Sequence, residues 1–215
     1  LYARASRWDD LAILLDSQLT RDGANVADLH HRLGRVAMDH LDDTERAFEH
    51  FRAVLDESTD HEPTVSALEE LGRRPELAAR VATMLEPIYR ARQDMPKLIG
   101  ALESRIAAED DPPARIELLT RLAALFEDNI GDPGRALDSY ARIFREDPTD
   151  RATWQTLDRL ARATEAHPKL AEVYAATLEG ITVDDDSSAD LSLVAARLFD
   201  ERVNDTARAR RYYRR

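Results

Sequence analysis

Residues 33–71 read LGRVAMDHLDDTERAFEHFRAVLDESTDHEPTVSALEEL, and residues 122–160 read LAALFEDNIGDPGRALDSYARIFREDPTDRATWQTLDRL. Laid over each other, the two stretches run 39 residues without a gap, 89 positions apart. Gly34 falls on Ala123, Ala47 on Ala136, Phe51 on Tyr140, Val54 on Ile143, Val65 on Trp154 and Leu68 on Leu157. A shorter third copy follows, in which Ala196, Ala209 and Tyr213 fall on Ala123, Ala136 and Tyr140, 73 positions on. Repetition of units of this length is the signature of stacked helical modules, each of which buries its apolar face against its neighbours. That architecture points toward binding.

The apolar spacing around these copies predicts about twelve helices and no strand. Residues 6–20 carry Leu11, Leu14, Leu15 and Leu19 three and four apart, one helical face. Ser6 with Asp9 forms a capping box at its start. Residues 26–41 and 43–57 make a first hairpin, with Asp42 as the expected N-cap of its second helix. Helices are expected over 62–73 and 75–92, with Pro87 kinking or splitting the latter, and over 95–109. Residues 113–129 and 133–146 make a second hairpin, joined by Asn129-Ile130-Gly131-Asp132-Pro133: a glycine, an Asp N-cap and a proline at the first helical position. Helices follow over 150–164, 167–181, 187–202 and 205–215. The run Asp184-Asp185-Asp186-Ser187-Ser188 reads as an acidic turn between two of them.

At these positions the residues resemble the tetratricopeptide repeat, a unit of 34 residues. That unit favours an aromatic, a leucine, a small residue and a further aromatic along its first helix. Alanine and an aromatic follow in the second helix, and a proline at the end. Counted from Glu117, Ala124 takes the small place, Ala136 the alanine, Tyr140 the aromatic and Pro148 the proline. The next unit starts at Arg151 and supplies Trp154, Leu157 and Tyr174. Departures are Glu127 where the further aromatic belongs, Leu170 in place of alanine, and Thr59 where the first copy would carry proline. The small residue on each helix lets the two axes approach, and the aromatic fills the space beside it.

The resemblance implies an all-α solenoid of stacked antiparallel hairpins and a non-catalytic protein-interaction or scaffold role. One array over 1–215 is expected, with copies at about 28–73, 117–184 and 190–215 and an extra helix within 62–109. It implies partner contacts on the first helix of each hairpin, where Arg32 and Arg121 occupy aligned polar positions. The repeat core is Gly34, Ala47, Phe51, Ala123, Ala136, Tyr140, Trp154, Leu157, Ala196, Ala209 and Tyr213. The alternative is a regulatory or structural segment attached to a catalytic or sensor domain elsewhere in a longer chain. A first residue of Leu1 and a last of Arg215 within an unfinished copy read as a piece of such a chain.

Composition narrows the partners. Among 215 residues the formal net charge is −12, which opposes phosphate backbones and favours protein over nucleic acid. Arginine is the basic residue almost throughout, with only Lys97 and Lys169 beside it, a bias of GC-rich, bacterial-like coding. Cysteine is absent, which excludes disulfides, thiolate metal sites and a cysteine nucleophile from this stretch. No apolar run reaches the roughly 20 residues of a membrane helix. A cytoplasmic location is expected. His30, His31, His40, His50, His61 and His167 show no paired metal-ligand spacing and read as solvated surface side chains, so no metal or other cofactor is expected. No phosphate-binding glycine loop occurs. The segment Arg208–Arg215 is the one basic, aromatic-rich patch, and its repeat positions make it the outside of a last helix. Trp8 and Trp154 read as core.

Overall fold

The computed structural model describes residues 7–20, 25–180 and 185–215. All secondary structure among them is helical. The chain divides into two compact units, Leu1–Ala108 and Glu109–Arg215.

The first unit holds α1 (Trp8–Gln18), α2 (Val26–His40), α3 (Thr44–Glu57), α4 (Glu62–Leu71), α5 (Pro75–Ala91) and α6 (Met95–Ala108). The strongest packing is within the α2–α3 and α5–α6 hairpins. Gly34 shows why the repeat keeps a small residue here: a Cβ at this position would lie 2.5 Å from Cε1 of the fully buried Phe51. The helix axes therefore meet at a glycine, with the aromatic ring lying over it. Ala47, Phe48, Val54, Val65 and Leu68 are buried as well.

Two expectations for this unit are corrected. Asp42 is not the N-cap of α3. It adopts a left-handed conformation (φ 50°), and Asp43 caps the helix, accepting the Arg46 amide at 3.1 Å. Nor does Pro87 split its helix, for α5 runs unbroken from Pro75 to Ala91. The proline ring is exposed, while Leu85, Ile88 and Tyr89 on the other side are buried. An interior proline costs about 3 kcal/mol, and burying three large side chains at about 1.5–3 kcal/mol each outweighs it. The capping serine expected at residue 6 lies outside the described residues; the N-cap of α1 is Arg7, without a side-chain cap.

The second unit holds α7 (Pro112–Ala124), α8 (Pro133–Glu146), α9 (Arg151–Ala163), α10 (His167–Gly180), α11 (Asp185–Leu198) and α12 (Thr206–Tyr213). Each packs chiefly on its neighbours in sequence. Two π turns interrupt the pattern, Leu125–Ile130 after α7 and Phe199–Val203 after α11. The two are the same device 73 residues apart. Each ends in a left-handed residue, Gly131 (φ 72°) and Asn204 (φ 60°). In each the amide of the following aspartate bonds back to the aromatic's carbonyl, Asp132 to Phe126 at 2.8 Å and Asp205 to Phe199 at 2.7 Å. The aspartate then caps the next helix. An arginine lies over the ring, Arg135 at 4.1 Å and Arg208 at 4.3 Å. The first copy repeats the backbone part: Asp43 bonds back to Ala37 at 3.0 Å across left-handed Asp42.

The π turn also resolves the departures in the first helix of the second copy. A π turn takes one more residue than an α turn, so places counted back from Ala136 fall one residue late. Ala124, expected at the small place, is exposed, whereas Ala123 is fully buried. The missing aromatic is not replaced by Glu127; it is Phe126, which is buried. The acidic turn expected at 184–188 is corrected as well. Asp184 lies outside the described residues, and α11 begins at Asp185.

Candidate functional site

Between α9 and α11 the second unit opens a groove of about 310 Å³. Its floor is apolar: Trp154 from α9, Leu170 and Tyr174 from α10, Val194 and Leu198 from α11. Trp154 is fixed at its polar end, since its indole N–H donates to the Pro148 carbonyl at 2.9 Å. Its ring sits 6.2 Å from both Phe144 and Tyr174, whose own rings are 5.1 Å apart. The floor thus rests on a packed aromatic cluster, in which Trp154 keeps the most exposure at 7%. Burial, and then the charge of Asp158, holds the Tyr174 phenol above its ordinary range, so it stays neutral.

The rim is charged. Asp158 and Arg162 on α9 pair with each other at 2.6 Å. Opposite them stand Arg197 on α11 and Glu201 and Arg202 in the π turn, all exposed. Among the described residues no carboxylate lies within ion-pair distance of Arg197 or Arg202, whereas Arg151, Arg159 and Arg208 nearby each hold one. The walls are tied at one end, where Arg151 of α9 pairs with Asp190 of α11 and lies over the Trp154 ring. The groove therefore offers apolar contact below and two uncommitted guanidinium forks above, a combination suited to an apolar side chain beside a carboxylate.

The residues singled out in the sequence fall as follows. Gly34, Ala47, Phe51, Ala123, Ala136, Leu157, Ala196 and Ala209 are buried, and Trp154 is 7% exposed. Tyr140 is half-buried. Tyr213 is corrected: it is 48% exposed, and Tyr212 is the aromatic that α12 buries, stacked on Phe199 at 5.6 Å. The reason lies in the neighbouring positions. Where α8 has buried Leu137 and Ala141, α12 has exposed Arg210 and Arg214, so that face has no apolar side chains to pack beside Tyr213.

Arg32 is exposed on α2 with Asp28 at 4.0 Å, and Arg121 is half-buried in the last turn of α7. Neither lines the groove. The register of Arg121, however, recurs 34 residues on at Gln155 and 73 on at Val194, and both of these do. Trp154, Leu170 and Tyr174 hold repeat positions and were singled out by spacing, but nothing in the spacing brings them together with Val194 and Leu198 of another helix. The histidines also need correction: His30, His31, His50 and His61 are half-buried and contact one another across helices.

No family model matches this chain, and no curated protein matches it. Among solved structures, PilF of Pseudomonas aeruginosa is similar at 16% identity, covering 98% of this chain and 83% of that one, with a TM-score of 0.32. At that level of likeness the fold rests on the helices themselves. They define an all-α protein of successively packed hairpins with an open, charged-rim groove in its second unit.

Proposed function

We propose that this chain is a protein-binding module, a divergent tetratricopeptide-type array, and that the groove between α9 and α11 receives a segment of its partner. The observation that carries this reading is the pair of arginines, Arg197 and Arg202, which line the same groove as Trp154 and have no carboxylate at ion-pair distance among the described residues. The realignment of Ala123 and Phe126 by the π turn supports the family resemblance. The role is contact rather than catalysis. The partner is a protein segment with an aspartate or glutamate beside a large apolar side chain.

The net charge of −12 does not defeat this. Screening confines electrostatics to about 8 Å at physiological ionic strength, so the local guanidinium groups decide. Fluorescence reports on the site, because Trp8 and Trp154 are the only tryptophans. An acidic, leucine-containing peptide should change the emission of a Trp8→Phe variant, and Arg197→Glu with Arg202→Glu should weaken binding about tenfold or more. Equal binding by the charge-reversed protein, with its helicity intact, would remove the groove as the site. Arg32 and Arg121 are outlying contacts in this reading, and reversing them should cost less.

A further inference from the structure

Five of the six histidines fall between residues 30 and 61, and four of them meet in two pairs. His30 on α2 and His50 on α3 bring their Nδ1 atoms to 2.9 Å. His31 on α2 and His61, the N-cap of α4, have ring centres 5.3 Å apart. Both of these place Nδ1 on the same hydroxyl, Thr64 Oγ1, at 3.0 Å and 2.8 Å. Thr64 is fully buried.

Each contact has a definite proton count. Two imidazole nitrogens at hydrogen-bond distance need one proton and one lone pair between them. One proton added to the His30–His50 pair leaves a cation that donates to its neutral partner, but a second added proton makes both rings cationic, removes the acceptor and sets two charges face to face. The Thr64 hydroxyl carries one hydrogen, which goes to one ring while its oxygen accepts from the other. If both rings are cationic, both must donate, and the hydroxyl hydrogen of a buried side chain loses its acceptor. Only two nitrogens converge at each point, and no group of three metal-binding side chains occurs among the described residues, so proton sharing rather than metal binding is the chemistry available.

We propose that these paired histidines are an acid-sensitive latch: above the imidazole range they tie α2 to α3 and to α4, and entry of a second proton into each pair opens those ties.

The surroundings set the direction. Burial pushes the His50 imidazole below its ordinary range, with His30 and Arg46 adding to this; Asp16 from α1 and Glu49 oppose it. Burial likewise lowers His31, helped by His61 and Arg35 and opposed by Asp28. A folded-state value below the unfolded one means the unfolded chain binds more protons between the two. Stability is therefore complete above the unfolded value, about 6.5, and falls as pH drops through it. Carboxylates lose their contributions only at lower pH, so the two effects separate.

The test uses the whole chain. The melting midpoint should fall by about 2–4 °C between about pH 7.5 and about pH 5.5. Amide exchange should rise in α2, α3 and α4. His50→Gln and His61→Gln keep a hydrogen-bonding side chain but gain no proton, and each should lose part of that fall. Should either variant fail to fold, exchange in the wild-type protein decides. An unchanged midpoint in the wild type, an undiminished fall in folded variants, or no acid-induced exchange in α2–α4 would overturn the proposal.

Discussion

The approach of Gly34 to Phe51 is a close helix–helix contact that the repeat alignment points to, and it supports a prediction in which two effects compete. Gly34→Ala would raise helix propensity by about 1 kcal/mol. Against this, the new Cβ would lie 2.5 Å from a fully buried ring that must move. Overpacking of that kind costs about 1–3 kcal/mol, so the variant should melt below wild type despite its better helix former. Ala47→Leu and Ala136→Leu should each cost about 1–3 kcal/mol for the same reason, since both alanines are fully buried between helices. Thermal denaturation checks all three, and unchanged midpoints would mean that these sites can relax. The pairing of small and aromatic residues was legible in the sequence because it recurs between copies. Tyr213 was not, because its exposure depends on Arg210 and Arg214 standing where apolar residues stand in α8. Alignment at one position carries no information about its neighbours.

At the level of elements, the helices were legible from apolar spacing, and the turn at Gly131-Asp132-Pro133 from its residues. The π turns were not. Their trace in the sequence is a mismatch of one place, with Phe126 and Ala123 each preceding the position expected for them, and a one-residue slip reads as divergence until the backbone is seen. The same turn gives opposed predictions in two copies. A Cβ added at Gly131 would meet nothing within 4 Å, so Gly131→Ala tests the dihedral alone. With φ at 72° it should cost about 1–2 kcal/mol. Asp42 takes the equivalent place at φ 50°, and Asp42→Gly should relieve a strain of about 1–2 kcal/mol against an entropy cost of about 0.5–1 kcal/mol, for a small net stabilisation. Chemical denaturation at neutral pH measures both. A stabilising Gly131→Ala would show that the turn does not need its left-handed residue.

For the whole molecule, what the sequence withheld is convergence. The groove and the histidine pairs each assemble side chains from different helices, and no spacing rule joins Trp154 to Arg197 or His31 to His61. Charge is the global property that the sequence did make legible, and the structure sharpens what it implies. Residues 208–215 carry the basic, aromatic-rich patch that the sequence offers to phosphate. Within it, Arg208 is held by Asp205 and Glu172, and Arg211 by Glu179 at 3.0 Å. These pairs neutralise part of the patch and fix its guanidinium groups along the helix surface. A phosphate backbone would have to break them or rely on the remaining arginines, against a net charge of −12 on the whole chain. Binding driven by counterion release scales with the number of free cationic contacts and falls steeply with salt. Single-stranded RNA should therefore show no submicromolar binding at about 0.15 M salt. Anisotropy with a labelled oligonucleotide makes the measurement, and Glu172→Gln with Glu179→Gln, which release Arg208 and Arg211, should raise whatever weak binding exists at low salt. Tight binding by the wild-type chain at physiological salt would transfer the functional site from the α9–α11 groove to α12.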